Sequence, residues 1–122
     1  MDSRSIVDIA IQACEDKKAR NIQVINIDKV SSLADWILIT EGLSDVQVKA
    51  ISKSVEDRLE EEANLLPIRK EGTSEGKWAL LDYGDVLVNI FQPKERSYYE
   101  LESFWSNGEK LNIESPIYSN EK

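Results

Sequence analysis

The sequence predicts an α+β domain bordering on α/β: a mixed five-stranded sheet packed with helices, in the order αββαβββα. Three observations carry this. Residues 36–40 (WILIT) and 86–91 (VLVNIF) are almost wholly apolar, as in strands covered on both faces. Between residues 78–81 and 86–91 stands Asp82-Tyr83-Gly84-Asp85, a hairpin turn in which Gly84 supplies the positive φ. Elsewhere apolar residues recur at helical spacing, so helices and strands are interleaved along one chain.

The elements follow in order. Ile6, Ile9, Ala10, Ala13 and Cys14 mark a first helix up to about residue 18, and Asn21 breaks it. Residues 22–27 are rich in β-branched side chains and read as a strand, followed by the loop DKVSSLAD and the strand 36–40. After Gly42, Ser44 and Gln47 have capping-box spacing, and Asp45 complements the positive end of a helix dipole. The long helix that starts there turns Val48, Ile51, Val55 and Leu59 inward and presents Glu56, Asp57, Glu60, Glu61 and Glu62 to solvent. Residues 65–69 form a short strand that Pro67 confines to an edge, because proline cannot donate a ladder hydrogen bond. After the hairpin, Pro93 ends the last strand. Tyr98, Leu101, Phe104 and Trp105 then give a third helix, stopped by Asn107-Gly108. Strands 36–40 and 86–91 are expected at the centre of the sheet. Residues 1–106 make one domain, and 107–122 are expected to be a mobile tail.

Composition excludes several classes of function. A formal charge of −8 with no run of Lys or Arg disfavours direct DNA or RNA binding and favours a basic protein partner. The single Cys14 allows no intrachain disulfide and no CxxC pair. The total absence of histidine removes Ser-His-Asp and Cys-His chemistry and His-ligated zinc. The five glycines form no phosphate-cradling motif, so no cofactor is expected. With no apolar run long enough for a membrane span and no export signal, the expected location is the cytoplasm.

The stretch 78–105 concentrates two of three Trp, three of four Tyr and both Phe, together with Asp82, Asp85, Glu100 and Glu102. Aromatics beside carboxylates suit the capture of a basic partner. Each candidate also has a structural reading. Trp78 can serve as a core residue, and Asp82 and Asp85 as turn residues bonding their own backbone. Arg96 and Glu100 have the spacing of an i,i+4 ion pair, and Asp35 that of an acceptor for the Ser31-Ser32 loop. Tyr98, Leu101 and Trp105 are expected in the core, Tyr99 on the outer helix face, and Tyr83 exposed at the hairpin tip.

The combined pattern resembles the ribosomal silencing factor family (RsfS, or Iojap) over residues 4–105. The likeness rests on Ser31-Ser32 followed by Asp35, on Gly42 and Ser44 opening the long helix, and on Glu71-Gly72 before Trp78. Its strongest part is LLDYGDVLV followed by Arg96, Tyr99, Glu100, Leu101, Glu102 and Trp105. One departure is Asn89, where the family usually has His. The resemblance implies a non-enzymatic factor that binds the large ribosomal subunit through its fourteenth ribosomal protein. Bound there, it blocks joining of the small subunit and lowers translation during slow growth or starvation. A homodimer of the free protein is a further state it allows. Organellar relatives act in large-subunit assembly. The implied fold has a nucleotidyltransferase-like core without catalytic residues: Leu43 separates Gly42 from Ser44, and the adjacent acids Glu56 and Asp57 fall on a helix rather than as a spaced pair on a strand. The alternatives are a carboxylate-dependent metal enzyme of that type and an assembly factor. The partner-binding residues so proposed are Trp78, Asp82, Tyr83, Gly84, Asp85, Arg96, Tyr99 and Glu100.

Overall fold

The computed structural model describes residues 2–113. Its elements are α1 (Ser3–Asp16), β1 (Arg20–Asn26), β2 (Trp36–Glu41), α2 (Asp45–Ala63), β3 (Arg69–Glu71), β4 (Trp78–Asp82), β5 (Val86–Phe91), α3 (Pro93–Tyr99), α4 (Leu101–Phe104) and β6 (Glu109–Lys110). Local chemistry sets the helix starts. Asp2 accepts from the Ser5 amide at 2.9 Å, and Ser44 from the Gln47 amide at 3.1 Å, which leaves fewer orphan donors in each first turn. Gln47 reaches back to the Leu43 amide at 2.7 Å, one residue before the cap that the capping-box spacing specifies.

The sheet runs β3-β4-β5-β2-β1-β6. Every neighbouring pair is antiparallel except the central β2 and β5, which run parallel with Trp36 opposite Val86. These two strands are the apolar segments expected at the centre. Strand alternation divides their side chains between two cores. Leu38, Val88 and Ile90 pack under α1 and α2 with Val7, Ala10, Cys14, Ile51, Val55 and Leu59. On the opposite face Ile25, Ile37, Ile39, Leu87 and Phe91 pack with Trp78, Leu80, Leu101 and Trp105.

The secondary structure differs from the sequence-based expectation at three places. The sheet has six strands rather than five, because Glu109–Lys110 pair with Asn26 and Ile25 of β1. This pairing lies within the segment 107–122 expected to be a mobile tail; it is extended by the Leu111 amide, which donates to the Val24 carbonyl at 2.8 Å, and by Ile113 against the first core. Residues 114–122 of that segment fall outside the described residues. Second, β3 begins at Arg69, so Pro67 precedes the edge strand instead of lying in it; the Ile68 amide already bonds the Asp82 carbonyl at 2.7 Å. Third, the single helix expected after Pro93 is broken at Glu100, whose φ of 49° is left-handed. The break resets the helical phase: Tyr98 and Phe104 turn outward, 79% and 73% exposed, whereas Leu101 and Trp105 reach the sheet.

Candidate docking surface

The hairpin of β4 and β5 supplies the floor of the candidate surface. Trp78 pairs with Phe91 at the end of the hairpin away from the turn, and their rings stack at 4.8 Å and 27°. Pro93 opens α3 with its preset φ, and the helix lays Tyr99 across the Trp78 ring at 4.6 Å. Tyr98 meets Tyr99 edge-on at 5.0 Å, giving a run of four aromatics from buried Phe91 to exposed Tyr98. Offset and edge-on geometries of this kind are favoured by the ring quadrupoles. The indole nitrogen of Trp78 donates to Oδ1 of Asn89 at 3.0 Å. A groove of about 430 Å³ lined by Lys94, Glu95, Ser97, Tyr98 and Tyr99 borders this ledge.

Arg96 lies beneath α3 with its side chain 11% exposed. It bonds Glu41 at 3.0 Å, Glu102 at 2.7 Å and the Asn21 carbonyl at 2.7 Å. The expected ion pair with Glu100 does not form, because Glu100 caps α3 in the left-handed conformation and the helix does not continue through it. A second cleft, of about 390 Å³, runs along Glu41, Pro93, Arg96, Ser97, Glu100, Glu102 and Ser103. The surface around Arg96 is therefore acidic, and the cation itself is occupied within the fold.

The turn residues stand at the other end of the hairpin, four strand positions from Trp78, or roughly 13 Å at about 3.3 Å per residue. Gly84 has φ of +87° as expected. Asp82 accepts from the Gly84 amide at 2.8 Å and pairs with Arg69 at 3.4 Å, so it is a turn and edge residue. The Asp85 carbonyl accepts from the amides of Asp35 and Trp36, at 2.8 and 3.0 Å, and thereby anchors the entry to β2. Tyr83 is not exposed at the tip: it is 8% exposed, packed in the α1 and α2 core, and its hydroxyl has no hydrogen-bond partner. Burial pushes its ionisation well above the usual range, with the nearby charge of Glu56 adding to the shift. The ring is turned back into the first core rather than out at the turn.

Of the eight sequence-derived candidates, the structure thus gathers Trp78, Arg96, Tyr99 and Glu100 at one end of the sheet and leaves Asp82, Tyr83, Gly84 and Asp85 at the other. Glu41, Asn89, Tyr98 and Glu102 join the first group. Glu41 could not be found by spacing, since only the parallel register with Phe91 carries it to α3. Among the described residues no group of three or more His, Cys, Asp or Glu could hold a metal ion, and no helix is long and apolar enough to cross a membrane.

The fold is that of a mixed-sheet α+β domain already seen in crystal structures. One, of a Chromobacterium violaceum protein, superimposes with a TM-score of 0.83 at 36% identity and 94% coverage of both chains. Another, from Bacillus halodurans, gives 0.79 at 32% identity, covering 91% of this chain and all of the other. The family model described as "Ribosomal silencing factor during starvation" matches residues 1–122. The Ribosomal silencing factor RsfS of Bacillus subtilis strain 168 is 43% identical over 108 residues, which is 88% of this chain and 90% of that one. The chloroplastic protein Iojap of Zea mays is 30% identical over 84% of this chain and 44% of its own length. The chain belongs to the ribosomal silencing factor (RsfS) family.

Proposed function

We propose that the protein is a translational repressor of the cytoplasm that docks on the large ribosomal subunit, through its fourteenth ribosomal protein, and blocks association with the small subunit. Family membership supports the ribosome as target. The single observation that carries the docking mode is the aromatic ledge in which Tyr99 and Tyr98, exposed on α3, rest on half-buried Trp78 of β4 beside the acidic cleft of Glu41, Glu100 and Glu102. Aromatic anchors rimmed by carboxylates favour a basic partner, because the rings supply desolvated contact and the acids steer approach. Asp82, Tyr83, Gly84 and Asp85 act in this reading by holding the hairpin, with Asp85 the exposed member of the turn.

A regulatory rather than catalytic role is consistent with the family description, and the acids on α2 support it. Glu56 is paired with Lys70 at 3.0 Å and Asp57 with Lys53 at 3.2 Å, so neither adjoins a second carboxylate on a strand. A role in large-subunit assembly, which the family resemblance implies for organellar members, is the second reading.

Co-sedimentation tests the proposal. The purified protein should pellet with large subunits, leave small subunits unbound, lower the yield of joined ribosomes, and dissociate as salt rises, since charges beyond about 8 to 10 Å are screened at physiological ionic strength. Binding to small subunits alone, or joining that proceeds normally in the presence of saturating protein, would overturn it.

A further inference from the structure

We infer that Asn89 is a positioning residue for the docking surface: its buried carboxamide selects the orientation of the Trp78 indole on which Tyr99 and α3 rest. The inference deepens the docking reading and depends on it for its purpose.

All six residues of β5 are buried, and five of them are apolar; Asn89 is the exception, 3% exposed. A polar side chain in such a strand is tolerated when it is bonded, and here the Trp78 indole N–H supplies that bond. The register explains how they meet. Trp78 stands opposite Phe91 and Leu80 opposite Asn89, so Trp78 and Asn89 are diagonal neighbours on the same sheet face, within reach of a long aromatic. The torsion between an indole and its Cβ is broad and roughly two-fold, so stacking on Phe91 alone leaves two ring orientations open. Only one of them points Nε1 at Oδ1 of Asn89. That choice decides which ring edge meets Tyr99 at 4.6 Å; Tyr99 also stacks on Phe91 of β5 at 6.4 Å, while Arg96 ties α3 to Glu41 of β2 and to the Asn21 carbonyl of β1. Asn89 does not reach the surface; it acts through Trp78.

The test has a structural arm on the free protein and a binding arm on large subunits. In Asn89→Leu, which keeps the branched shape in a larger side chain and removes the acceptor, the Trp78 indole N–H resonance should shift and exchange faster with solvent. Cross-peaks between Trp78 and Tyr99 should weaken, and affinity should fall about three- to tenfold, the range expected for one hydrogen bond. Asn89→Ala repeats the measurement should Leu disturb the fold. Asn89→His at about pH 8 should restore both signals, because a neutral imidazole offers an acceptor nitrogen. Trp78→Phe lacks the donor, so adding Asn89→Leu to it should cost no further affinity. Unchanged indole signals in Asn89→Leu, or full additivity with Trp78→Phe, overturn the positioning role. If Trp78→Ala binds like the parent, the docking reading fails, and the purpose assigned to Asn89 with it, whatever the indole signals show.

Discussion

Arg96 and Glu41 meet at 3.0 Å across 55 residues of sequence, with side chains 11% and 12% exposed. The pair ties α3 to the end of β2, and Glu102 joins it from α4 at 2.7 Å. Arg96→Ala leaves two neighbouring carboxylates without their cation. It should cost about 2 to 3 kcal/mol, below the 3 to 5 kcal/mol typical of a fully buried pair, because Glu102 keeps 29% exposure and solvent screens it. Arg96→Lys should recover only part of this, since one ammonium cannot serve three acceptors in a plane. Urea denaturation reads both; equal stability of Arg96→Ala and parent would contradict the clamp.

Tyr83 should report on the fold rather than on binding. Tyr83→Phe deletes a buried hydroxyl that has no partner and should be neutral or stabilising by up to about 1 kcal/mol. Tyr83→Ala removes a core ring and should cost about 3 to 5 kcal/mol. Thermal melts of the two variants decide the point: a Tyr83→Ala protein as stable as its parent would return the ring to the surface.

Tyr98 behaves in the opposite way. At 79% exposure its truncation removes almost no buried surface, so the melting temperature of Tyr98→Ala should stay within the small range of surface substitutions, about 0.5 kcal/mol. Affinity for large subunits should nonetheless drop by about tenfold or more, as for an aromatic anchor worth roughly 2 kcal/mol. Unaltered co-sedimentation would move the interface away from α3.

Alkaline titration gives a further check. Burial, with the neighbouring charge of Glu15, pushes the Cys14 thiol from 9.0 up to about 12, and Tyr83 is raised as well. Each folded value lies above its unfolded one, so the stability these neutral groups contribute is complete below the unfolded value and declines as the unfolded chain ionises first. The loss should begin near pH 9 and continue to about pH 12, by at most about 1.4 kcal/mol per pH unit for each group. Cys14→Ala should lower stability at neutral pH yet show a shallower decline above pH 9. Parallel curves for the two proteins would disprove the assignment.

Much of this architecture is legible in the sequence because its signals are local. The capping residues Asp45 and Ser44, the apolar runs of β2 and β5 and the Gly84 turn each act within a few positions, and each appears where expected. What escaped depends on long-range pairing or on a single backbone angle. β6 has two charged residues and exists only because β1 offers an edge. The left-handed Glu100 carries no glycine to announce it, and it separates the phase of Tyr98, which is exposed, from that of Leu101 and Trp105, which pack on the sheet. Likewise the pairing of Arg96 with Glu41 follows from the parallel register, which no spacing within the hairpin or helix encodes.

The pairing of Trp36 with Val86 joins the two halves of the chain, and everything on the docking side of that join, from Trp78 to Glu102, is made late. While the chain is being synthesised, β2 waits with its inner edge unpaired until β5 is available, and α3 has nothing to rest on before that. A copy that stops short of Tyr99 therefore lacks the ledge altogether, however well α1 and α2 have formed. On the proposed reading, a chain cut before Tyr98 could still build the α1 and α2 side of the sheet and yet offer the ribosome no exposed ring from α3.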